Sequence, residues 1–259
     1  MNAACTTLHA CSSSAELAQA LAADLAERLR AAVAQRGQAL LAVSGGKSNA
    51  IGGSLAVNNM GQDGDQFRVR AILNNLELKA PVSVSVTSAL AGSIGSVAAS
   101  GSGAGTAALN GSVTTNAINA TVLAEATLVN QTVSSPGDFV VHADNSANIA
   151  SLAGTVSGGG TAGAGVAISV NEIGGSVIAR AYDTTLRSLG DVDLQANTSG
   201  TIRSLAAGIA GGGTAGVAGS NTTNAITSTV LAQLNAVRMA EDAATVTVRA
   251  RDTSTIESF

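Results

Sequence analysis

The chain has no tryptophan, one tyrosine and three phenylalanines among 259 residues, so aromatics make up only 2% of it. An interior built on large rings is excluded, because there are too few wide side chains to fill it. A membrane barrel with aromatic girdles is excluded by the same shortage, and so is a propeller with aromatic blade signatures. Proline occurs twice, so nearly every segment keeps its backbone donor and can pair on both sides. The two cysteines, Cys5 and Cys11, are too close to the N-terminus to staple the body of the chain, and their setting does not suggest a metal pair. Charged residues are 12% and the net charge is −4, which leaves no basic surface for nucleic acid. No run of large apolar residues is long enough for a membrane span. The start, MNAACTTLHACSSS, lacks the basic and apolar regions of a signal peptide.

What is present is Ala, Gly, Ser and Thr, with 30 glycines and 46% hydrophobic residues. That hydrophobic share argues against disorder by charge. The composition suits small side chains packed closely, as in a stack of thin repeated units.

Residues 1–44 read as one helix and one strand. Ser13 and Glu16 form a capping box. Leu17, Leu21, Leu25, Leu29 and Val33 recur every fourth residue as one apolar stripe. Arg28, Arg30 and Arg36 suit the C-terminal end of the helix dipole, and Gly37 suits its termination. Core or capping use of the stripe is expected over membrane contact, because its polar side is mixed in charge. Ala39 to Val43 is then a short apolar strand, followed by Ser44, Gly45, Gly46, Lys47 and Ser48.

From Gly45 onward the texture changes and repeats appear. The stretches GGKSNAIGGSLAVNNM, GAGTAALNGSVTTNAI, GGGTAGAGVAISVNEI and GGGTAGVAGSNTTNAI begin at 45, 103, 158 and 211 and align without gaps. Each carries an Asn near its end: Asn58, Asn116, Asn171 and Asn224. Ile94, Ile149, Ile202 and Ile256 keep the same phase, as do Ala143, Ala196 and Ala250. The predicted units are 45–102, 103–157, 158–210 and 211–259. The last stops at Phe259 without a cap and reads as part of a longer array.

Within each unit the hydrophobic period is two. The runs at 177–182, 192–196, 246–250 and 82–86 alternate apolar and polar, which predicts half-buried strands. Glycines and clusters of Asn, Asp and Ser separate them as turns. The predicted fold class is mainly β: a repeat-containing parallel β-solenoid with one N-terminal α-helix. A unit of about 53 residues reads as more than one coil at the usual ~4.8 Å strand spacing.

Two resemblances accompany this reading. The pattern GAGVAISVNEIGGSVIARAYDTTL, with GDVDLQANTSGTIRSLAAGIAGGG after it, resembles the repeats of bacterial leukotoxin-like, filamentous haemagglutinin-type adhesins. The likeness covers residues 45–259 and implies a secreted or surface-exposed β-helical stalk that meets a host or cell-surface receptor without catalysis. Residues 1–48, AELAQALAADLAERLRAAVAQRGQALLAVSGGKS above all, resemble the N-terminus of 6-phosphogluconolactonases. That likeness implies a sugar-phosphate loop at Ser44, Gly45, Gly46, Lys47 and Ser48. Asn49 stands where the family has Pro, and the rest of that enzyme has no counterpart. The two resemblances together imply a fusion or truncated chimera. The chain would be cytoplasmic if expressed as it stands.

Few residues carry candidate chemistry. The loop from Ser44 to Ser48 is a candidate phosphate cradle by backbone N–H groups and the Lys47 charge. It is not a Walker loop, because Leu41 stands where that motif needs Gly. The first turn of the first repeat is the plainer reading. His9 lies in the leader, and His142 is expected to face solvent on a strand shared in phase with Gln195 and Arg249. Asp63 with Asp65, and Asp191 with Asp193, offer too few oxygens at the right spacing for calcium. Asn110, Asn119, Asn130, Asn197 and Asn221 begin glycosylation sequons, but no signal for a glycosylating pathway is present, and turn positions account for them without sugar. The reading therefore expects no cofactor, no metal and no catalytic residue. Self-association through uncapped ends is expected.

Overall fold

A computed structural model describes residues 40–43, 49–61, 67–79 and 82–259. The expected helix, both cysteines, His9, residues 44–48 and Asp63 with Asp65 lie outside the described residues. Among the described residues there are fourteen strands and no helix, so none is long and apolar enough to cross a membrane. The strands recur as a triplet of 25, 7 and 12 residues. It appears as β6 (Ala107–Gln131), β7 (Phe139–Asn145) and β8 (Asn148–Gly159). It appears again as β9 (Ala162–Leu186), β10 (Val192–Thr198) and β11 (Thr201–Gly212). β12 (Ala215–Met239), β13 (Val246–Asp252) and a shorter β14 (Thr255–Ser258) follow. Ahead of these, the long strand is split into β2 (Asn49–Met60) and β3 (Phe67–Leu78), with β4 (Val84–Leu90) and β5 (Ser93–Ala104) after them. β1 (Leu40–Val43) precedes the first triplet.

Equivalent strands pair in parallel and build three sheets. Sheet I runs β1-β2-β6-β9-β12 with β3 also on β6, sheet II runs β13-β10-β7-β4, and sheet III runs β14-β11-β8-β5. The partner of each residue is its copy one triplet away: Ile94, Ile149, Ile202 and Ile256 are successive partners, as are Ala143, Ala196 and Ala250. One triplet therefore supplies one strand to each sheet. This corrects the expectation of more than one layer per unit, because the unit's length is taken up by a single strand of 25 residues and two shorter ones. β1 pairs antiparallel with β2, Leu40 opposite Ala56, against one edge of sheet I.

The interior has two lobes of different chemistry. Between sheet II and the second half of the sheet I strands it is apolar: Val122, Val141, Val177 and Leu194 are fully buried, with Phe139 as the largest side chain. Between sheet III and the first half of those strands it is small and polar. Ser112, Thr114, Asn116, Ser169 and Asn171 are buried there, beside the small apolar cluster of Ala153, Ala167 and Ala206. Side chains of that size fill a thinner gap than the ~10 Å usual between packed sheets. Ile118 and Ile173 of sheet I meet Ile94, Ile149 and Ile202 of sheet III where the lobes join.

One backbone feature repeats. Asn75, Leu128, Asp183 and Ala236 have φ of 51, 52, 49 and 50°, and their flanking residues pair in register. Each is a single left-handed residue at the same place in its long strand, one opposite one, so the register continues without offset. It switches the inward set from Val122, Ala124 and Ala126 to Val129 and Gln131 in β6, because one residue outside the extended conformation exchanges the two faces of the strand.

Candidate functional site

Strand alternation sends every second residue of sheet II outward, and the register sets those residues side by side. The outward positions bring together His142 and Asp144 of β7, Asp193, Gln195 and Asn197 of β10, and Arg249 and Arg251 of β13. This face sets one histidine, two aspartates and two arginines close together.

Its carboxylates are already engaged. Asp193 Oδ2 lies 2.9 Å from His142 Nε2, with the two side chains 23% and 29% exposed. Gln195 donates its Nε2 to the same carboxylate at 2.8 Å, and Asn197 donates to Asp144 Oδ1 at 2.9 Å. Asp138 Oδ1 accepts from the backbone N–H of Asp191 at 2.8 Å. Thr87, in register with His142, has its hydroxyl 3.2 Å from that of Ser85. The hydroxyl beside the histidine is thus turned along its own strand, so the His–Asp pair has no aligned nucleophile from that neighbour. Among the described residues, Arg249 and Arg251 make no side-chain hydrogen bond or ion pair. Two shallow hollows flank Arg249, of about 310 Å³ towards Asp138 and Asp193 and about 230 Å³ towards Asn197 and Thr253. Such a surface offers a polar ligand hydrogen bonds and two guanidinium groups.

The sequence reading placed His142 on an outward face in phase with Gln195 and Arg249, and the strands place it there. The diagonal contact to Asp193 was not anticipated, because it joins positions 51 residues apart that are not register partners. Its only signal was the repeat offset. Among the described residues no three His, Cys, Asp or Glu side chains come together to hold a metal ion.

The sequon asparagines require a correction. Asn110, Asn119 and Asn130 lie inside β6, Asn197 inside β10 and Asn221 inside β12, so none is a turn residue. Asn110, Asn197 and Asn221 make side-chain hydrogen bonds instead: Asn110 is buried and donates to the Val156 carbonyl at 2.9 Å.

A second polar array runs through the interior. Asn58 donates to Asn116, Asn116 to Asn171, and Asn171 to Asn224, each at 2.8 Å. Asn116 and Asn224 also donate to Ser96 and Ser204 of sheet III, both at 2.8 Å. The ladder consists of the four asparagines that mark the sequence repeats. A buried amide stacked on its own copy satisfies donor and acceptor in one direction along the stack, which is a structural task. No family model matches the chain, and neither the curated proteins nor the solved structures provide a significant match.

Proposed function

We propose that residues 49–259 form a right-handed parallel β-solenoid that acts as a rigid, non-catalytic stalk of an adhesin-like exoprotein. Supporting the solenoid is the one-to-one parallel register in which each triplet adds one strand to each of three sheets. Right-handed crossover is the rule for parallel strands in one sheet. Each layer then advances the rod by about 4.8 Å. Supporting the stalk is that the ladders fill the interior, so the outward strand faces and turns are left for recognition. Adhesion rests on the resemblance of the repeats, and the outer face of sheet II is the surface assigned to the receptor.

The test is saturable binding of the purified full chain to cultured host cells, beside an assay of 6-phosphogluconolactone hydrolysis. Saturable binding without turnover is the expected result. Turnover above the spontaneous rate would favour the lactonase-like reading of residues 1–48, and absence of saturable binding would remove the adhesive role.

A further inference from the structure

In an ordinary half-buried sheet the larger apolar side chains point inward. Sheet III keeps Ile94, Ile149 and Ile202 inward at the start of β5, β8 and β11, but does the reverse further along those strands. Ser96, Ser151 and Ser204 point inward and are buried, while Val97, Leu152 and Leu205 point outward and are 59, 37 and 40% exposed. Phe259, whose N–H bonds to the Ser204 carbonyl, carries that outward row one strand further and is 78% exposed. Two residues along lies a row of small side chains, Ala99, Gly154 and Ala207. Beyond it Val156 and Ile209 stand out again, 57 and 64% exposed, and the next row is Gly103, Gly158 and Gly211. The face is a set of apolar ridges about 13 Å apart, with grooves of Ala and Gly between them.

The glycines in those grooves are not explained by the fold. A Cβ built at Gly154, Gly158 or Gly211 meets no atom within 4 Å, and none of the three has a positive φ. Glycine inside a strand costs backbone entropy, and it often marks where another backbone comes close.

We propose that the outer face of sheet III is a self-association surface, on which a second copy of this chain packs sheet against sheet with its ridges in these grooves. Alternating ridges and grooves make the face self-complementary, as a two-fold contact demands. Its charged outward residues, Arg203 and its register partner Glu257, neutralise each other at 2.8 Å, so two such faces meet without repulsion. Three strands of about ten residues present roughly 500–600 Å² per copy, near the lower end for a specific interface, so a dimer of micromolar affinity is expected. A lipid surface fits less well, because the chain has no tryptophan to anchor the face at an interface.

Sedimentation equilibrium of the full chain from about 1 to 200 µM tests this, spanning the affinities usual for small interfaces. The unsubstituted chain should dimerise. Leu152→Asp and Ile209→Asp should each weaken association at least about 30-fold, the effect of removing a central contact. Gly154→Leu should fill the groove and weaken association while keeping the strand spectrum in circular dichroism. Thr87→Asp, on the outer face of sheet II, should leave it unchanged. Hydroxyl-radical footprinting of the unsubstituted chain needs no variant, and should show concentration-dependent protection of Leu152, Val156, Leu205 and Ile209. A monomer throughout the range overturns the proposal. So does association that survives both Asp variants or leaves these residues unprotected, which would place the contact at the sheet edges. Binding of the monomer to phosphatidylcholine vesicles would assign the face to lipid instead.

Discussion

At the scale of single residues, the left-handed position in each long strand is where side-chain choice bears directly on the backbone. Asn tolerates the left-handed region, and Asp nearly as well, whereas Leu and Ala do so at a cost of about 1–2 kcal/mol. Leu128 adopts φ 52° with its side chain 52% exposed, so little packing is lost by changing it. Leu128→Asn should therefore raise unfolding stability by roughly 0.5–1 kcal/mol, read from urea denaturation at fixed protein concentration. A fall in the midpoint would mean that the exposed Leu side chain makes a contribution larger than the strain. Gly175 is the opposite case: at φ 119° its Cβ would lie 1.9 Å from the Ala120 carbonyl oxygen, so only glycine fits.

Between strands, the asparagine ladder is the clearest stabilising device. Asn171 is 1% exposed, and both its donor and its acceptor sit between identical side chains. Asn171→Ala orphans the Asn224 acceptor and one Asn116 donor at once, and should cost about 2–4 kcal/mol. Asn58→Ala, at the half-buried end of the ladder, should cost about 1 kcal/mol. Equal losses in thermal melts would show that burial along the ladder does not decide its strength. The ladder was legible in advance because Asn58, Asn116, Asn171 and Asn224 recur in phase. The strands at 177–182, 192–196 and 246–250 were legible because inward Val, Leu and Ala alternate with polar residues. Sheet III was harder. Alternation reveals that there are two faces but not which is inside, and there Ser points in while Leu and Val point out. The left-handed positions were also hidden, since Asn75, Leu128, Asp183 and Ala236 share no side-chain chemistry. The chemistry assigned to residues 44–48 falls outside the described residues, and the polar face around His142 emerges only when strands a triplet apart are set side by side.

For the molecule as a whole, one triplet is the natural unit of length. Deleting residues 158–210 joins Ser157 to Gly211, the register partner of Gly158, so every ladder resumes in phase with one layer fewer. The shortened chain should fold with the same strand signal per residue in far-UV circular dichroism. It should also have a smaller m-value, in proportion to the surface no longer exposed on unfolding. A deletion that leaves the ladders out of phase should not fold. Failure of the in-phase deletion to fold would count against nearest-neighbour stacking as the source of stability.

The two lobes of the interior also have a thermal consequence. Opening the lobe of Ser112, Thr114, Ser169 and the stacked asparagines hydrates hydroxyls and amides, and polar hydration lowers the heat capacity that apolar hydration raises. Unfolding should therefore absorb less than the usual ~12–15 cal/mol/K per residue. The free-energy dome flattens as a result, and the fold holds its margin over a wider span of temperature than an oil-filled protein of the same size.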